Sequence, residues 1–346
     1  MQLLATGAAL ALLEQTARRE GVDTCVASRL DEIHELFAPE LSHVERTLLA
    51  VASDGQTPAT RAAEHLLRAG GKRIRSLTVL LSAACFGPVP DAARELAVVA
   101  ELVHSATLLH DDVIDDAALR RGRPAARQVW GNAVSVLAGD LLLTHALDRT
   151  LAHAPATLSD LLVTLRRLVD GEVIQLRGRS DIDASEAVYF RVLEDKTASL
   201  FGWSARAGAT VADASPECRE ALGRFGERVG VAFQLIDDAL DYEGDCASMG
   251  KAVFSDLEEG KLTLPLVLAI DRDPSLMEQV VLARSGDAVA AERVGRSVRA
   301  MGVCQDVRAR AAAETGRAVS ALCEIPSCPA TELLAVLATE LAGRSR

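Results

Sequence analysis

Six aspartates stand in two copies of one spacing. The segment Leu108-Leu-His-Asp-Asp-Val-Ile-Asp-Asp116 places Asp111, Asp112 and Asp115 at i, i+1 and i+4. Gln234-Leu-Ile-Asp-Asp-Ala-Leu-Asp241 repeats the pattern with Asp237, Asp238 and Asp241. At about 100° per residue, these side chains fall within one third of a helix circumference. Like charges so close destabilise a bare helix, so they require a compensating cation or full solvation. The apolar frame argues against solvation: Leu108, Leu109, Val113 and Ile114 surround the first motif, and Leu235, Ile236 and Leu240 the second. A lone acidic cluster near a helix end is commonplace. Two copies in apolar helices that can face one another point to metal. Carboxylate oxygens suit Mg²⁺, which keeps several waters and is completed by substrate phosphates. Divalent ions around a diphosphate would stabilise the charge of a departing pyrophosphate.

The basic residues answer the acidic ones. Gly70-Gly-Lys-Arg-Ile-Arg75 puts Lys72 and Arg75 at i and i+3 at the start of a helix, where free N–H groups also favour anions. Arg120 and Arg121 follow the first motif closely, and guanidinium forks bind phosphate oxygens bidentately. Lys196-Thr197 sits in a helical stretch, and Lys251 and Lys261 follow the second motif. Alone, each reads as a surface charge or an ion pair; their repeated placement beside the aspartates weakens that reading. His104 and His110 have no Cys or further His nearby, so zinc is not suggested. His104 is either a phosphate donor or a hydrogen-bonded core histidine.

The elements that must position these residues are helices. The 346 residues are 49% hydrophobic and only 3% aromatic, with Ala and Leu abundant, a balance that favours helix over strand. Apolar residues at helical spacing predict helices over 91–110, 132–152, 157–177, 185–210 and 217–242. Gly70-Gly71, Gly87 to Pro90, Gly122 to Pro124, Ala154-Pro155, Asp213 to Pro216 and Asp271 to Pro274 break them. With no linker, repeat or strand–helix alternation, the chain reads as one all-α domain over 28–346, preceded by a helical extension over 1–27. Leu3 to Leu13 is apolar but lacks a basic flank and runs into Glu14, so it is read as helix rather than leader. No other apolar run approaches the length of a membrane span. A net charge of −12 excludes general nucleic-acid binding. Seven cysteines, an odd count without CxxC, suggest reduced thiols in a cytoplasmic protein.

From about residue 40 to 345 the chain resembles the trans-isoprenyl diphosphate synthases, the polyprenyl synthetase family, and among them the long-chain octaprenyl-type members. The blocks that carry the resemblance are GGKRIR (70–75), LVHSATLLHDDVIDDAALRRG (102–122), GEVIQL (171–176), DKTASLF (195–201), AFQLIDDALDY (232–242), GK (250–251) and EGKLTLP (259–265). It implies an all-α bundle around a deep central cavity (the isoprenoid synthase fold), a homodimer, and peripheral membrane contact for release of a long product. By position, Lys72, Arg75, His104 and Arg121 would hold isopentenyl diphosphate. Asp111, Asp112, Asp115, Asp237, Asp238 and Asp241 would act through Mg²⁺ on an allylic diphosphate. Arg120, Lys196, Thr197, Gln234, Lys251 and Lys261 would contact that diphosphate or close over it, Lys196 counting with the catalytic set. Two departures from the family pattern are Ser76, in place of Pro, and Ser255, in place of Asp.

Product length is expected to depend on what blocks the cavity behind the first motif. One and two turns back from Asp111 stand Thr107, Ala106 and Val103, with no aromatic and no insertion in the motif. This favours a long product, about C35 to C50, from a farnesyl or geranylgeranyl primer. Trp203 offers a competing plug that would stop growth at geranylgeranyl or farnesyl length. A terpene cyclase shares the first motif but not Asp237-Asp238 or the isopentenyl set, and a non-catalytic subunit of a heteromeric synthase would have degraded motifs.

Overall fold

The punctuation read from the sequence is where the helices stop. This computed structural model describes residues 29–53, 56–180, 182–243 and 255–344; the expected extension over 1–27 lies outside them, as does Lys251. The elements are α1 (Arg29–Leu36), α2 (Ala38–Ser53), α3 (Pro58–Leu67), α4 (Ile74–Ala84), α5 (Asp91–Ile114), a hairpin of β1 (Leu119–Arg120) and β2 (Arg123–Pro124), α6 (Ala126–Trp130), α7 (Asn132–His153), α8 (Leu158–Ser180) and α9 (Glu186–Leu193). A wide π turn, Glu194–Ala198, then leads into α10 (Ser199–Val211). The chain continues as α11 (Pro216–Glu243), α12 (Ser255–Glu258), α13 (Leu264–Arg272), α14 (Leu276–Arg284), α15 (Ala288–Ala300), α16 (Val303–Ala321) and α17 (Pro329–Ala342). Pro58, Pro216, Pro265 and Pro329 each fall in a first helical turn, where the missing N–H costs no hydrogen bond. The stretch read as one helix over 185–210 is continuous, but the π turn divides it.

The protein is all-α apart from the hairpin, whose register pairs Arg120 with Arg123. Helix α5 runs through the centre against α4 and α7, while α10 packs on α4 and α11, and α11 on α16. One apolar core gathers Leu77, Leu81, Leu102, Val103, Leu109, Phe201, Trp203 and Phe225. A second lies under the later helices, around Leu235, Ile236, Leu266, Val294 and Val307. Burying each large aliphatic side chain contributes about 1.5–3 kcal/mol, so Leu102→Ala removes part of the support of the helix that ends in the first motif. No helix among the described residues is long and apolar enough to cross a membrane.

Candidate active site

The first motif occupies the last turn of α5. Its helix ends at Asp115, and Asp116 turns the chain out with a left-handed φ of 58°. The hairpin then reverses the chain at Arg121 and Gly122, with φ of 52° and 73°. Both turn positions demand positive φ, which glycine adopts without strain. This reversal brings Arg120 back onto Asp112, with Nε 2.7 Å and Nη2 2.6 Å from Oδ1. Asp115 is answered from elsewhere, by Arg179 of α8 and by Lys261, whose Nζ lies 3.1 Å away. Burial pushes Asp115 up, but Lys261, Lys196 and Arg179 outweigh it and hold the carboxyl below its usual range. Burial pushes Asp111 up to about 6, with Lys196 opposing and Glu172 and Asp115 adding to the rise.

Lys196 comes from the π turn. Its Nζ is 3.6 Å from Asp111 Oδ2 and pairs with Glu172 of α8. Such a turn carries one extra residue and often marks a functional site. Here Asp195 is held by Arg167 Nε at 2.8 Å and Arg191 Nε at 2.5 Å, which fixes the turn against α8. Gly171 makes the approach possible: a Cβ there would lie 2.9 Å from the Lys196 backbone nitrogen. The next residue, Thr197, donates to Gln234 Oε1 at 3.2 Å.

Gln234 links this turn to the second motif on α11, its Nε2 donating to Asp238 Oδ1 at 2.8 Å. Tyr189 of α9 donates to the other oxygen of Asp238 at 2.6 Å. Burial raises Asp238 to about 7, reinforced by Asp256. Asp237 is raised by burial and opposed by Arg344 and Lys72, with Arg344 Nη2 3.1 Å from its Oδ1. Asp241 is buried on the same helix. Asp111, Asp115, Arg120, Lys196, Thr197, Gln234, Asp238 and Lys261 together line one cavity of about 230 Å³, whose apolar wall includes Ile174, Val188, Val192 and Val267.

Beyond this cavity the basic residues form a strongly positive region. Arg75 stacks over Phe201, 4.5 Å from the ring centroid, and its enclosed Nε has no hydrogen-bond partner among the described residues. Burial, and repulsion from Arg121, lower its pKa to about 10 against the pull of Glu101 and Asp237. Arg121 is lowered by burial and by Arg73 and rests on the bare face of Gly71. His104 is held neutral by burial and by Arg75, Arg121, Arg73 and Arg120, in that order. Lys72 is exposed at the rim. A neutral imidazole among guanidiniums can donate one N–H and leaves the region short of an anion.

The sequence profile of the polyprenyl synthetase family matches residues 56–298. The chain belongs to that family. It is 35% identical to the octaprenyl diphosphate synthase of Escherichia coli (strain K12) over 321 residues, covering 92% of this chain and 99% of that one. It is 38% identical to an all-trans-nonaprenyl-diphosphate synthase (geranyl-diphosphate specific) from Rhodobacter capsulatus, covering 76% of this chain and 82% of the relative. A polyprenyl synthase from Caulobacter crescentus CB15 superposes with a TM-score of 0.87 at 35% identity, covering 93% of this chain and all 100% of that one. This polyprenyl synthetase is therefore a prenyltransferase acting on isoprenoid diphosphates.

The structure also explains one departure from the family pattern. Ser76 uses the N–H that a proline would lack, donating to Glu101 Oε1 at 3.4 Å, while its Oγ donates to the Ala97 carbonyl at 2.8 Å. Val103, Ala106 and Trp203 are buried in the core of the polyprenyl synthetase and Thr107 is half-buried; none is among the residues lining the cavity. Sequence reasoning assigned no role to Glu172, Arg179, Tyr189, Asp256 or Arg344. A signal existed for Tyr189, since the chain has only two tyrosines. Glu172 lies in the GEVIQL block, 171–176. Arg344 had no local signal, because it reaches α11 only through the packing of α17, which it follows.

Proposed function

We propose that this prenyltransferase condenses isopentenyl diphosphate with a farnesyl or geranylgeranyl primer and repeats the step to a long-chain all-trans polyprenyl diphosphate, about C35 to C50. The observation that carries the reading is the convergence of carboxylates from both motifs with Lys196, Thr197, Gln234 and Lys261 on one cavity, beside an anion-deficient basic region. The relatives named for octaprenyl and nonaprenyl products support a long chain.

The donor set fits Mg²⁺, being all oxygen, with Asp238 buried and Asp111 half-buried beside the cavity. Among the described residues no three His, Cys, Asp or Glu side chains are gathered tightly enough to hold an ion by themselves. Mg²⁺ is ordinarily completed by water and substrate phosphate, and the Caulobacter relative was solved with calcium and isoprenyl diphosphate. Asp111, Asp112, Asp115, Asp237, Asp238 and Asp241 would hold it, and when bound it would neutralise the charge developing on the leaving diphosphate.

The chain's own groups do the rest. Lys196, Thr197, Gln234, Arg120 and Lys261 orient the allylic diphosphate, with Lys251 in the same role. Lys72, Arg75, His104 and Arg121 hold isopentenyl diphosphate, His104 as a neutral donor, so that its double bond faces the allylic C1. The apolar wall excludes water from the carbocation as pyrophosphate departs, and that pyrophosphate takes the proton lost on forming the new double bond. Small side chains at Val103, Ala106 and Thr107, with no aromatic among them, support passage of a growing chain behind the first motif. The alternative, a product stopped at geranylgeranyl length, rests on buried Trp203 two turns beyond Lys196. Exposed Leu137 and Leu151 of α7 and Val163, Val169 and Leu176 of α8 support a homodimer formed over these helices. The test is labelled isopentenyl diphosphate with farnesyl diphosphate and Mg²⁺ on the purified chain. Chromatography should show a long polyprenyl product, and absence of any product longer than the primer would sink the proposal.

A further inference from the structure

Two cysteines that the active site does not use meet at the far end of the helix that carries Arg344. Cys85 caps the C-terminus of α4, and Cys328, 243 residues later, caps the N-terminus of α17. Thr331 Oγ1 stands between the thiols, 3.2 Å from Cys328 Sγ and 3.6 Å from Cys85 Sγ. Cys328 Sγ also lies 3.7 Å from the Cys85 carbonyl oxygen. Both are free thiols, Cys85 buried and Cys328 half-buried. Burial shields Cys85 from reagents in solution and, with the neighbouring Cys328 adding to the rise, pushes its thiol up to about 12. Cys328 is the sulfur a small oxidant reaches. Both residues sit at helix ends rather than mid-helix, where the backbone can adjust to the dihedral a disulfide requires.

We propose that Cys85 and Cys328 form a redox-convertible dithiol, oxidised by a small peroxide to an internal disulfide that ties α17 to α4. In the first step Cys328 Sγ attacks the peroxide oxygen. An S–O bond forms, the O–O bond breaks, and the leaving hydroxide departs as water with the Cys328 proton. Cys85 Sγ then attacks the sulfenyl sulfur; the S–S bond forms, the S–O bond breaks, and the hydroxyl leaves as a second water with the Cys85 proton. Two thiols lose two electrons, which reduce one hydrogen peroxide to two waters. The tie closes a very long loop of the unfolded chain, which favours the folded state. It also pins the start of the helix whose end delivers Arg344 to Asp237 and to the face of Phe233, 4.1 Å from the ring centroid.

The experiment treats the purified full chain with stoichiometric hydrogen peroxide, digests it without reduction and maps the cross-links by mass spectrometry. The expected result is a peptide pair joining Cys85 to Cys328, with a melting temperature raised by several degrees and restored by dithiothreitol. Cys328→Ser and Cys85→Ala should each abolish both the cross-link and the shift. Cys328 joined instead to exposed Cys323 or to a second chain would overturn the proposal. So would Cys328 driven to sulfinic acid while Cys85 stays a thiol, or an unchanged melting temperature in the cross-linked protein.

Discussion

Asp112 and Asp238 hold the same place in their motifs and are equally hidden, at 1% and 2% exposure, yet the protein answers them differently. Asp112 receives a guanidinium, because a two-residue turn sends Arg120 straight back to the helix it has just left. Asp238 receives a phenol from α9 and an amide from one turn earlier in its own helix, with no cation in contact among the described residues. Burial raises both carboxyls; at Asp112 the Arg120 guanidinium opposes the rise, while at Asp238 the Asp256 charge adds to it and the carboxyl reaches about 7. Asp112 thus comes with its counter-charge built in, while burial holds Asp238 closer to neutral. The lesson is that a repeated sequence motif does not imply a repeated electrostatic environment; what arrives from outside the motif decides.

The largest expected effect tests what the motifs share. Asp111→Ala should lower kcat by about 10³-fold or more with an unchanged circular dichroism spectrum, since it removes charge organisation at the leaving group. Near-normal turnover would remove the metal assignment. Next comes the ion pair: Arg120→Ala strands a buried carboxylate and should cost about 2–4 kcal/mol in urea unfolding of the chelator-treated protein. A loss no greater than that of Tyr189→Phe would erase the contrast between the motifs.

The third test reads the contrast through pH. Asp238 has a folded pKa above its unfolded value, so the folded state keeps a proton that the unfolded state releases. Its contribution to stability is therefore fully present below the unfolded pKa and lost as pH rises toward about 7. Asp115, depressed by Lys261 and Arg179, runs the other way: its contribution is present above the unfolded pKa and lost as pH falls through the folded one. Urea titrations of metal-free Asp238→Asn and Asp115→Asn should therefore deviate from the parent with opposite slopes, and parallel slopes would contradict the assignment. The smallest effect is Tyr189→Phe, which removes one neutral hydrogen bond and should cost about 1 kcal/mol.

What could be read from the sequence was what local spacing determines. The i, i+1, i+4 aspartates fall on two long helices, as their period leads one to expect, and the expected breaks at Gly70, Gly87–Pro90, Pro155 and Pro216 all separate elements. Local pattern also found Arg120, because the residues that return it to Asp112 are its neighbours in sequence. It did not reveal Arg179, Tyr189 or Arg344. Each reaches its aspartate by helix packing across 49 to 107 positions, and packing geometry leaves no trace in a short window. The π turn was hidden for a related reason: its sequence, Glu-Asp-Lys-Thr-Ala, is good helix material, and the extra residue is held by Arg167 from another helix.

That wide turn also constrains which insertions and deletions the gene can tolerate. Removing one residue from Glu194–Ala198 would restore an ordinary helical repeat and rotate everything upstream of it by about 100° relative to α10. Tyr189 would swing away from Asp238, and Lys196 and Thr197 could no longer face Asp111 and Gln234 together. Length changes should therefore be tolerated at surface connections such as Asp271–Pro274 and eliminated between Tyr189 and Phe201, where every position counts toward the phase of two helices.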